Sequence, residues 1–433
     1  MSKPDGPRNR YPGDLFRRLT KDQLGFLEQV VAAYPDACRL QMFGREVWIL
    51  SQPELVEKLL TGHHQQFEKG RALQHTRVLL GNGLLTAEGD DHLHQRRLVQ
   101  PAFRRQRIAG YADTMVECAQ RLAVELEGQV DIHRVMMDLA LGIVSRTLLG
   151  TDLEHEHRRI GRALEQALGQ FQLTTMPFFP LLRHLPLPSV RRFDQARREL
   201  DEVVESILEA HRQGRASQDS LVALLAEVEP TRVRDEVMTM LLAGHETTAN
   251  ALTFAIYLLA QNPDAAANFH AEVDTVLGQR RARSDDYHDL VYTRQVVDET
   301  LRLFPPAWMV GRRSLEDLDW GTYQVPAGTI LLAPQWLLHR DARYFDRPTE
   351  FVPERWAQGS PARYAYFPFG GGTRICIGEG FARMEAVLVL ATLAQKVRFE
   401  VPDHKLELKA GITLRPRHGL RVRVSPRRVL TRT

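Results

Sequence analysis

Apolar residues recur every three or four positions over much of the first half of the chain, which is the spacing of one face of a helix. The helices that this spacing predicts cover residues 110–128, 134–149, 156–170 and 189–212. Other segments indicate strands. From Leu40 to Ser51, LQMFGREVWILS predicts a strand, a Gly-Arg turn and a second strand, and SQPELVEKLL then opens a helix.

Small β pieces separated by turn residues are expected in residues 320–334 and 406–424. Helix clearly exceeds strand over the whole sequence. We therefore expect a mainly α fold with minor β, of class α+β, whose minor sheet comes from the two ends of the sequence.

One segment is apolar nearly all round, as in a helix buried at the centre of a large protein. It lies between Pro230 and Pro263 and holds the polar run AGHETTAN in its middle. A hydroxyl at Thr247 can bond the Ala243 carbonyl four residues back, and Gly244 would let a flat group approach the backbone. Taken alone, the run is equally consistent with a helix that turns one polar face to solvent. No role is assigned to the neighbouring histidine.

Composition is that of an ordinary globular protein, with 433 residues, 43% hydrophobic and 26% charged. The net charge of +3 gives no sign of nucleic acid as a partner. The N-terminus lacks the apolar core of a signal peptide, and no apolar run is long enough to span a bilayer. We expect a soluble, cytoplasmic protein. Without repeats or a Gly, Pro and Ser-rich linker, a single domain over residues 1–433 is favoured.

Cysteine usage points to one position. Cys38, Cys118 and Cys376 are far apart without CxxC spacing, which argues against disulfides or structural zinc. Cys376 lies in FGGGTRICIG, directly before a strongly helical run, so free N–H groups at that helix start would favour an anionic sulfur. We expect Ile375 and Ile377 to keep water away, which suits a metal-ligating thiolate.

Other interpretations of that cysteine stay open on these residues alone. A buried cysteine commonly acts as a small hydrophobe. A phosphate-binding loop is excluded because GGGTRICIG lacks the terminal Gly-Lys-Ser/Thr, and no local signature supports a cysteine protease.

Two charge patterns follow the long segment. In ETLRLFPP, Glu299 and Arg302 are three residues apart on a helix that the two prolines terminate, so their side chains can meet. Such pairs are ordinarily surface salt bridges. FVPERW, which contains Arg355, is by itself only a loop with a charge pair.

Taken together, these motifs resemble the cytochrome P-450 family. FGGGTRICIG is similar to its haem-binding loop at every defining position, AGHETT resembles the oxygen-activation helix, ETLR the Glu-x-x-Arg pair, PERW the third member of that triad, and HLHQRRLVQPAF the haem-propionate helix. The five occur in the family's order over nearly the whole chain. The resemblance implies a cytochrome P-450 fold with a long central helix and a haem-binding cysteine loop, in one catalytic domain without a fused reductase.

The resemblance also implies roles for the residues that match. Cys376 would be the axial thiolate on the iron of haem b, with Phe369 packed near it. The haem propionates would be held by His92, Arg96, Arg374 and, less securely because Arg313 could compete, Arg312. Glu246 and Thr247 match the acid–alcohol pair that relays protons during activation of O2. Glu299, Arg302 and Arg355 match a structural triad that supports the cysteine loop.

Substrate-pocket positions follow from the same alignment with family motifs. They are Ala243, Thr247, Ala307, Met309, Val310, Ile412 and Thr413. Most are apolar, which suggests a lipophilic fatty acid, terpenoid, carotenoid or polyketide of secondary metabolism. The PPAW segment favours a fatty-acid or carotenoid hydroxylase over the small-terpene type. Loops around residues 63–84 and 170–190 are expected to gate access.

The implied activity is that of a haem-thiolate monooxygenase that hydroxylates or epoxidises this substrate. Its electrons would come from NAD(P)H through a ferredoxin or flavodoxin and a reductase, and Arg97, Arg104, Arg105 and Arg107 could help to form the docking face. Two alternatives are a peroxide-driven or dehydrating haem-thiolate enzyme and a haem-binding sensor. The presence of both Glu246 and Thr247 argues against each of them.

Overall fold

Helices form most of the regular structure in the computed structural model, which describes residues 2–62, 65–169, 187–359, 361–402 and 406–427. The helices of these residues are α1 (Asp14–Lys21), α2 (Gln23–Ala33), α3 (Pro53–Thr61), α4 (Arg71–His75), α5 (Arg77–Leu80), α6 (Gly89–Val99), α7 (Arg105–Glu125), α8 (Ile132–Thr147), α9 (His157–Gly169), α10 (Pro188–Arg212), α11 (Leu221–Leu224), α12 (Pro230–Gln261), α13 (Pro263–Val276), α14 (Asp286–Asp289), α15 (Val291–Leu303), α16 (Gln335–Leu338) and α17 (Glu379–Ala394).

The strands of the described residues are short. They are β1 (Ala37–Met42), β2 (Arg45–Leu50), β3 (Phe67–Lys69), β4 (Gly128–Asp131), β5 (Val310–Ser314), β6 (Leu318–Asp319), β7 (Gln324–Val325), β8 (Ile330–Ala333), β9 (Val397–Glu400), β10 (Leu408–Ala410), β11 (Leu414–Pro416) and β12 (Arg421–Pro426). One sheet has the order β1-β2-β8-β5-β3, and a second has the order β4-β12-β9. The strands β10 and β11 form a hairpin, as do β6 and β7.

The α+β prediction is confirmed, and the predicted helices and the β1–β2 hairpin occur within a few residues of their expected bounds. Two local details differ. The hairpin turn is Phe43–Gly44, because Arg45 already pairs with Met42. The strand β4 lies inside the helical half of the chain and pairs with β12, so the sheets do not come only from the two ends of the sequence. Its sequence GQVD has a single large apolar residue, which is too weak a strand signal.

The central helix α12 begins and ends where the sequence predicts. Pro230 occupies its first position, and the Glu229 carboxylate accepts a hydrogen bond from the Thr231 N–H at 3.2 Å. Buried residues occupy every side of the helix, as the apolar pattern indicates. The expectation for Gly244 is wrong, because a Cβ there would lie 3.0 Å from Val144 on α8. The missing side chain lets α12 and α8 pack closely and does not admit a flat group.

The helix α17 lies in the same hydrophobic core as α7 and α12, and its first residue follows Cys376 by three positions. No helix among the described residues is both long and apolar enough to cross a membrane. Of the two segments predicted to gate access, residues 63–64 and 170–186 lie outside the described residues.

Asp131 links the second sheet to the helical core. Its Oδ1 accepts hydrogen bonds from the His133 N–H at the start of α8, at 3.2 Å, and from the Leu420 N–H just before β12, at 2.9 Å. Asp131→Ala should therefore lower the free energy of unfolding by about 1–2 kcal/mol, measured by urea denaturation. Asp131→Asn keeps an acceptor oxygen and should recover most of that loss. An equal loss in both variants would contradict the capping role.

Candidate active site

The cysteine loop is a tight turn that closes on itself. The Cys376 N–H donates to the Phe369 carbonyl at 2.9 Å, across the short helical turn Gly372–Arg374. Gly372 has a φ of 65°, and a Cβ at this position would overlap the Leu60 carbonyl oxygen at the end of α3. Only glycine satisfies both conditions, since other residues are strained at positive φ. The glycines thus set the path of the backbone that presents the thiol.

The Cys376 thiol is open to solvent on one side, although protein atoms surround it closely elsewhere. That burial raises the pKa of the thiol above its ordinary value, while the Gly378 backbone N–H and the Arg96 guanidinium oppose the rise. Ile377 packs against the core, but Ile375 is 36% exposed. The expectation that both isoleucines keep water away is therefore wrong for Ile375.

A group of basic side chains, called the cationic group below, surrounds Arg374 of the cysteine loop. Burial, followed by the Arg374 charge, lowers the pKa of His92 to about 3 and that of Lys69 to about 6. The same two causes lower the pKa of Arg312 to about 10. The carboxylate of Glu88 offsets this charge through its ion pair with Arg374. The two arginines thus face one carboxylate, and this excess of positive charge suits an anionic ligand.

Strand geometry separates the two competing arginines of β5. Arg313 pairs with Glu68 at 2.7 Å, and successive residues of a strand point to opposite faces. Arg312 is half-buried, and its partner in the β3–β5 ladder is Lys69. The structure therefore places Arg312, and not Arg313, in the cationic group with Arg374.

Arg96 connects α6 to the cysteine loop, because its guanidinium donates to the Ile375 carbonyl at 2.7 Å. His92 lies one turn earlier on α6 and is buried. Sequence reasoning missed two members of this region, Lys69 and Glu88. The pairing of β3 with β5 places Lys69 beside Arg312, and no local sequence pattern predicts that pairing.

The polar notch of α12 has the predicted local geometry. The Thr247 hydroxyl donates to the Ala243 carbonyl at 2.7 Å, which confirms that expected hydrogen bond. Glu246 is 3% exposed, and its Oε1 accepts from the Thr413 hydroxyl at 2.6 Å. Burial raises the pKa of this carboxyl, and the Thr413 hydrogen bond lowers it by less. A carboxyl with a raised pKa, followed along the helix by a hydroxyl, can hold and release a proton.

Glu299 and Arg302 form an ion pair at 2.8 Å, and both side chains are 0% exposed. The surface salt-bridge interpretation is therefore wrong for this pair. Arg355 adds a third charge, with its Nε 3.0 Å from Glu299 Oε1. The Trp356 indole N–H donates to the other carboxylate oxygen at 3.0 Å. The structure thus brings the three motif residues together and satisfies both oxygens of Glu299.

His339 connects this ion pair to the cysteine loop. Its backbone carbonyl accepts from Arg302 at 2.7 Å, and its Nε2 accepts from the Phe367 N–H at 3.0 Å. Burial lowers the pKa of His339 to about 3, so the imidazole is neutral and can act as an acceptor. Phe367 precedes Phe369 by two residues. Sequence reasoning missed His339 because nothing in LLHRDARYF marks this contact.

Phe369 packs against the hydrophobic core and the helix α17. Its ring lies 4.9 Å from the Arg383 guanidinium of α17. Arg383 in turn pairs with Asp298 at 2.6 Å and with Glu379 at 3.0 Å. The phenyl ring is thereby fixed between the loop and the helix that follows it.

The predicted pocket residues come from three segments. Ala243 and Thr247 share one face of α12, Met309 and Val310 lie at the start of β5, and Ile412 and Thr413 lie in the turn between β10 and β11. Two hydrogen bonds join the segment before β5 to the turn between β10 and β11. The Leu414 N–H donates to the Pro306 carbonyl, and the Trp308 indole N–H donates to the Gly411 carbonyl, both at 2.9 Å. Thr413 contacts Glu246, so this turn also reaches α12.

The site thus combines an accessible thiol, a cationic group and a buried carboxyl followed by a hydroxyl. A sequence model of the cytochrome P450 family matches residues 4–420. The chain belongs to the cytochrome P450 family. It is therefore an oxygen-activating enzyme of the monooxygenase class, as predicted.

Three P450 relatives come from Streptomyces. Cyclooctatin synthase of Streptomyces melanosporofaciens is 37% identical, over 95% of this chain and 92% of that protein. Cyclooctat-9-en-7-ol 5-monooxygenase of the same organism is 33% identical, over 88% and 86% of the two chains. Pentalenene oxygenase of Streptomyces avermitilis is 33% identical, over 95% and 94%. None of these names supports the expected preference for a fatty-acid or carotenoid hydroxylase.

P450 membership implies haem and O2, and the residues present fit a haem. The Cys376 thiol is accessible and has a backbone N–H close to its sulfur, as a ligating thiolate requires. The excess of positive charge around Arg374 suits two carboxylates, which is what the propionates of haem b would supply. Cys376 would bind the iron, and His92, Arg312 and Arg374 would hold the propionates.

Glu299→Ala should be severely destabilising in this P450. It would leave the buried Arg302 without its carboxylate, so we expect a loss of about 3–5 kcal/mol in the free energy of unfolding, measured by urea denaturation. Glu205→Ala is the matched control, since Glu205 pairs with Arg212 at 2.7 Å while the two side chains are 63% and 53% exposed. That surface pair should contribute less than about 1 kcal/mol. Similar losses in the two variants would contradict the importance of burial.

Proposed function

We propose that this P450 hydroxylates or epoxidises a terpenoid, or a related lipophilic small molecule of secondary metabolism, in one catalytic domain. The observation that carries the proposal is the buried carboxyl of Glu246 on α12, whose pKa is raised by burial, followed directly by the half-buried hydroxyl of Thr247. The terpenoid preference is supported by the names of the Streptomyces relatives and by the mainly apolar pocket residues. It replaces the expectation drawn from the PPAW segment.

A haem held by Cys376 would supply the oxygen-activating chemistry. Around the haem, side chains of this chain hold the group in place, exclude water and move protons. The Thr247 hydroxyl gives its own hydrogen to the Ala243 carbonyl, which leaves its oxygen lone pairs available to accept a hydrogen bond. Burial raises the pKa of Glu246, which favours the protonated form that can donate a proton. The cationic group around Arg374 orients the propionates, and the Glu299 ion pair keeps the cysteine loop in place.

Electrons would come from NAD(P)H through a ferredoxin or flavodoxin and a separate reductase. The exposed side chains of Arg97 and Arg104 are suited to an acidic partner, and they lie on the segment whose Arg96 contacts the cysteine loop. Arg107 is less available, since it pairs with Asp219 at 2.5 Å. Cytoplasmic location is part of the proposal and rests on the three dispersed cysteines.

Cys376 can be tested directly as the haem ligand. Reduced protein with carbon monoxide should show the red-shifted Soret band of a thiolate ligand, and Cys376→Ala or Cys376→His should abolish it. Cys118→Ala is the control, because this buried cysteine lies on α7 and should leave the band unchanged. Retention of the shifted band in Cys376→Ala would overturn the assignment.

Thr247→Ala should uncouple electron use from product formation. Without the hydroxyl, proton delivery fails, so we expect product per NAD(P)H to fall by roughly tenfold or more while hydrogen peroxide rises. Thr253→Ala is the matched control on the same helix, since its buried hydroxyl donates to the Ala249 carbonyl at 2.7 Å in the same way. Both yields are measured in one assay. Equal coupling in the two variants would count against the proton-relay role of Thr247.

A further inference from the structure

A chain of polar side chains runs from Glu246 to the start of α8. The Thr413 hydroxyl donates to Glu246 Oε1 at 2.6 Å, the Asn250 amide nitrogen donates to Thr413 Oγ1 at 3.4 Å, and His133 Nε2 lies 2.9 Å from Asn250 Oδ1. Asn250 is one helical turn after Glu246 on α12, and both are buried. The family motifs give no role to His133 or to Asn250.

Each hydrogen bond in this chain has a fixed direction. Burial lowers the pKa of His133, so its ring is neutral, and only an N–H at Nε2 can bond the oxygen of an amide. With its oxygen taken by His133, Asn250 can offer only its nitrogen to Thr413. The single hydrogen of the Thr413 hydroxyl therefore goes to Glu246. It follows that Glu246 Oε1 is always an acceptor.

The other carboxyl oxygen of Glu246 is different. Oε2 is buried and has no hydrogen-bond partner among the described residues. In a neutral carboxyl the carbonyl oxygen is a stronger acceptor than the hydroxyl oxygen, so the bond from Thr413 favours Oε1 as the carbonyl oxygen. The hydrogen of the neutral acid is therefore favoured on Oε2.

Charged groups from two further elements act on this carboxyl. Arg415 on β11 has its guanidinium 3.9 Å from Oε1 and favours the ionised form. Glu165 on α9 favours the neutral form, as does burial, which has the largest effect. The hydrogen bond from Thr413 lowers the pKa of Glu246 and so opposes the effect of burial. The ionisation of Glu246 therefore depends directly on the Thr413 hydroxyl.

We propose that His133, Asn250 and Thr413 are positioning residues that commit Glu246 Oε1 to accepting, so that Oε2 alone carries and releases the proton. The proposal rests on the proposed monooxygenase function. When the O–H bond at Oε2 breaks, the proton passes to an oxygen acceptor beside Thr247, and the carboxylate keeps its bond from Thr413. A proton from bulk solvent then returns to Oε2, so each cycle consumes one solvent proton at this carboxyl.

A purely structural role is the competing explanation, since the same hydrogen bonds tie α8, α12 and the β10–β11 turn together. The two explanations predict different behaviour of the Glu246 carboxyl. A structural tie affects stability alone, whereas orientation of Glu246 also affects its titration and the pH profile of coupling.

Thr413→Val removes the hydroxyl with little change in volume. The ionised form of Glu246 loses a hydrogen-bond donor, so the pKa of this carboxyl should rise by roughly one unit. Infrared difference titration of the resting protein measures this midpoint, with Glu246→Gln identifying the carboxyl band. Because the protonated acid is the active form, coupling falls as pH rises through the pKa, and this fall should move to higher pH by the same amount.

Two further variants make the test specific. Thr413→Ser restores a hydroxyl and should return the midpoint towards the wild-type value. Thr147→Val removes another buried hydroxyl, which donates to the Ile143 carbonyl at 2.6 Å on α8, and should leave the midpoint unchanged. An unshifted midpoint in Thr413→Val, or an equal shift in Thr413→Ser, would overturn the proposal.

Nitrogen-15 NMR of His133 in the wild-type protein provides a measurement that needs no variant at Thr413. We expect the tautomer protonated at Nε2, and the Nδ1–H tautomer would reverse the hydrogen-bond directions and overturn the proposal. Neither this measurement nor the infrared titration depends on turnover. Failure of the proposed function would appear separately, as a missing thiolate band in the carbon monoxide spectrum of the wild-type protein.

Discussion

Glu299 and Arg302 carry opposite charges at a place where neither side chain reaches water. Each is tolerated there only because the other is present and because every remaining polar atom finds a partner. Those partners include the backbone carbonyls of His339, Pro348 and Glu350, together with the Val352 N–H. The pair therefore fixes several segments that have little regular structure. Through the neutral ring of His339, the constraint reaches Phe367 and the start of the cysteine loop.

Burial of ionisable side chains has a different outcome on the central helix α12. In the middle of α12, burial favours the neutral form of two adjacent side chains: it raises the pKa of Glu246 and lowers that of His245 to about 4. Glu246 differs from Glu299 because the cation nearest to it, Arg415, lies at 3.9 Å and not in direct hydrogen-bonding contact. Glu299 has Arg302, Arg355 and Trp356 in direct hydrogen-bonding contact, whereas Oε2 of Glu246 has no partner among the described residues. The structural acid and the acid proposed to move protons are thus distinguished by their partners.

The parts of the site that the sequence predicts are those made within one helix or one loop. The hydrogen bond from Thr247 to Ala243 and the ion pair of Glu299 with Arg302 follow from helical spacing, which is a property of a few consecutive residues. Contacts between distant segments have no such signal. Lys69 meets Arg312 only because β3 pairs with β5, and His133 meets Asn250 across 117 positions of the chain. The expectation for Gly244 is wrong for the same reason, since its neighbour Val144 belongs to another helix.

The turn between β10 and β11 combines two tasks that the sequence suggests are separate. It presents Ile412 among the predicted pocket residues, and it is tied to the segment before Met309 through Pro306 and Trp308. Thr413, the next residue, donates to Glu246. A hydrogen bond of 2.6 Å weakens steeply when its atoms separate, so a displacement of this turn by a poorly fitting molecule would reach the carboxyl directly. In the proposed function, recognition of the substrate and control of the proton would therefore be coupled through this one short turn.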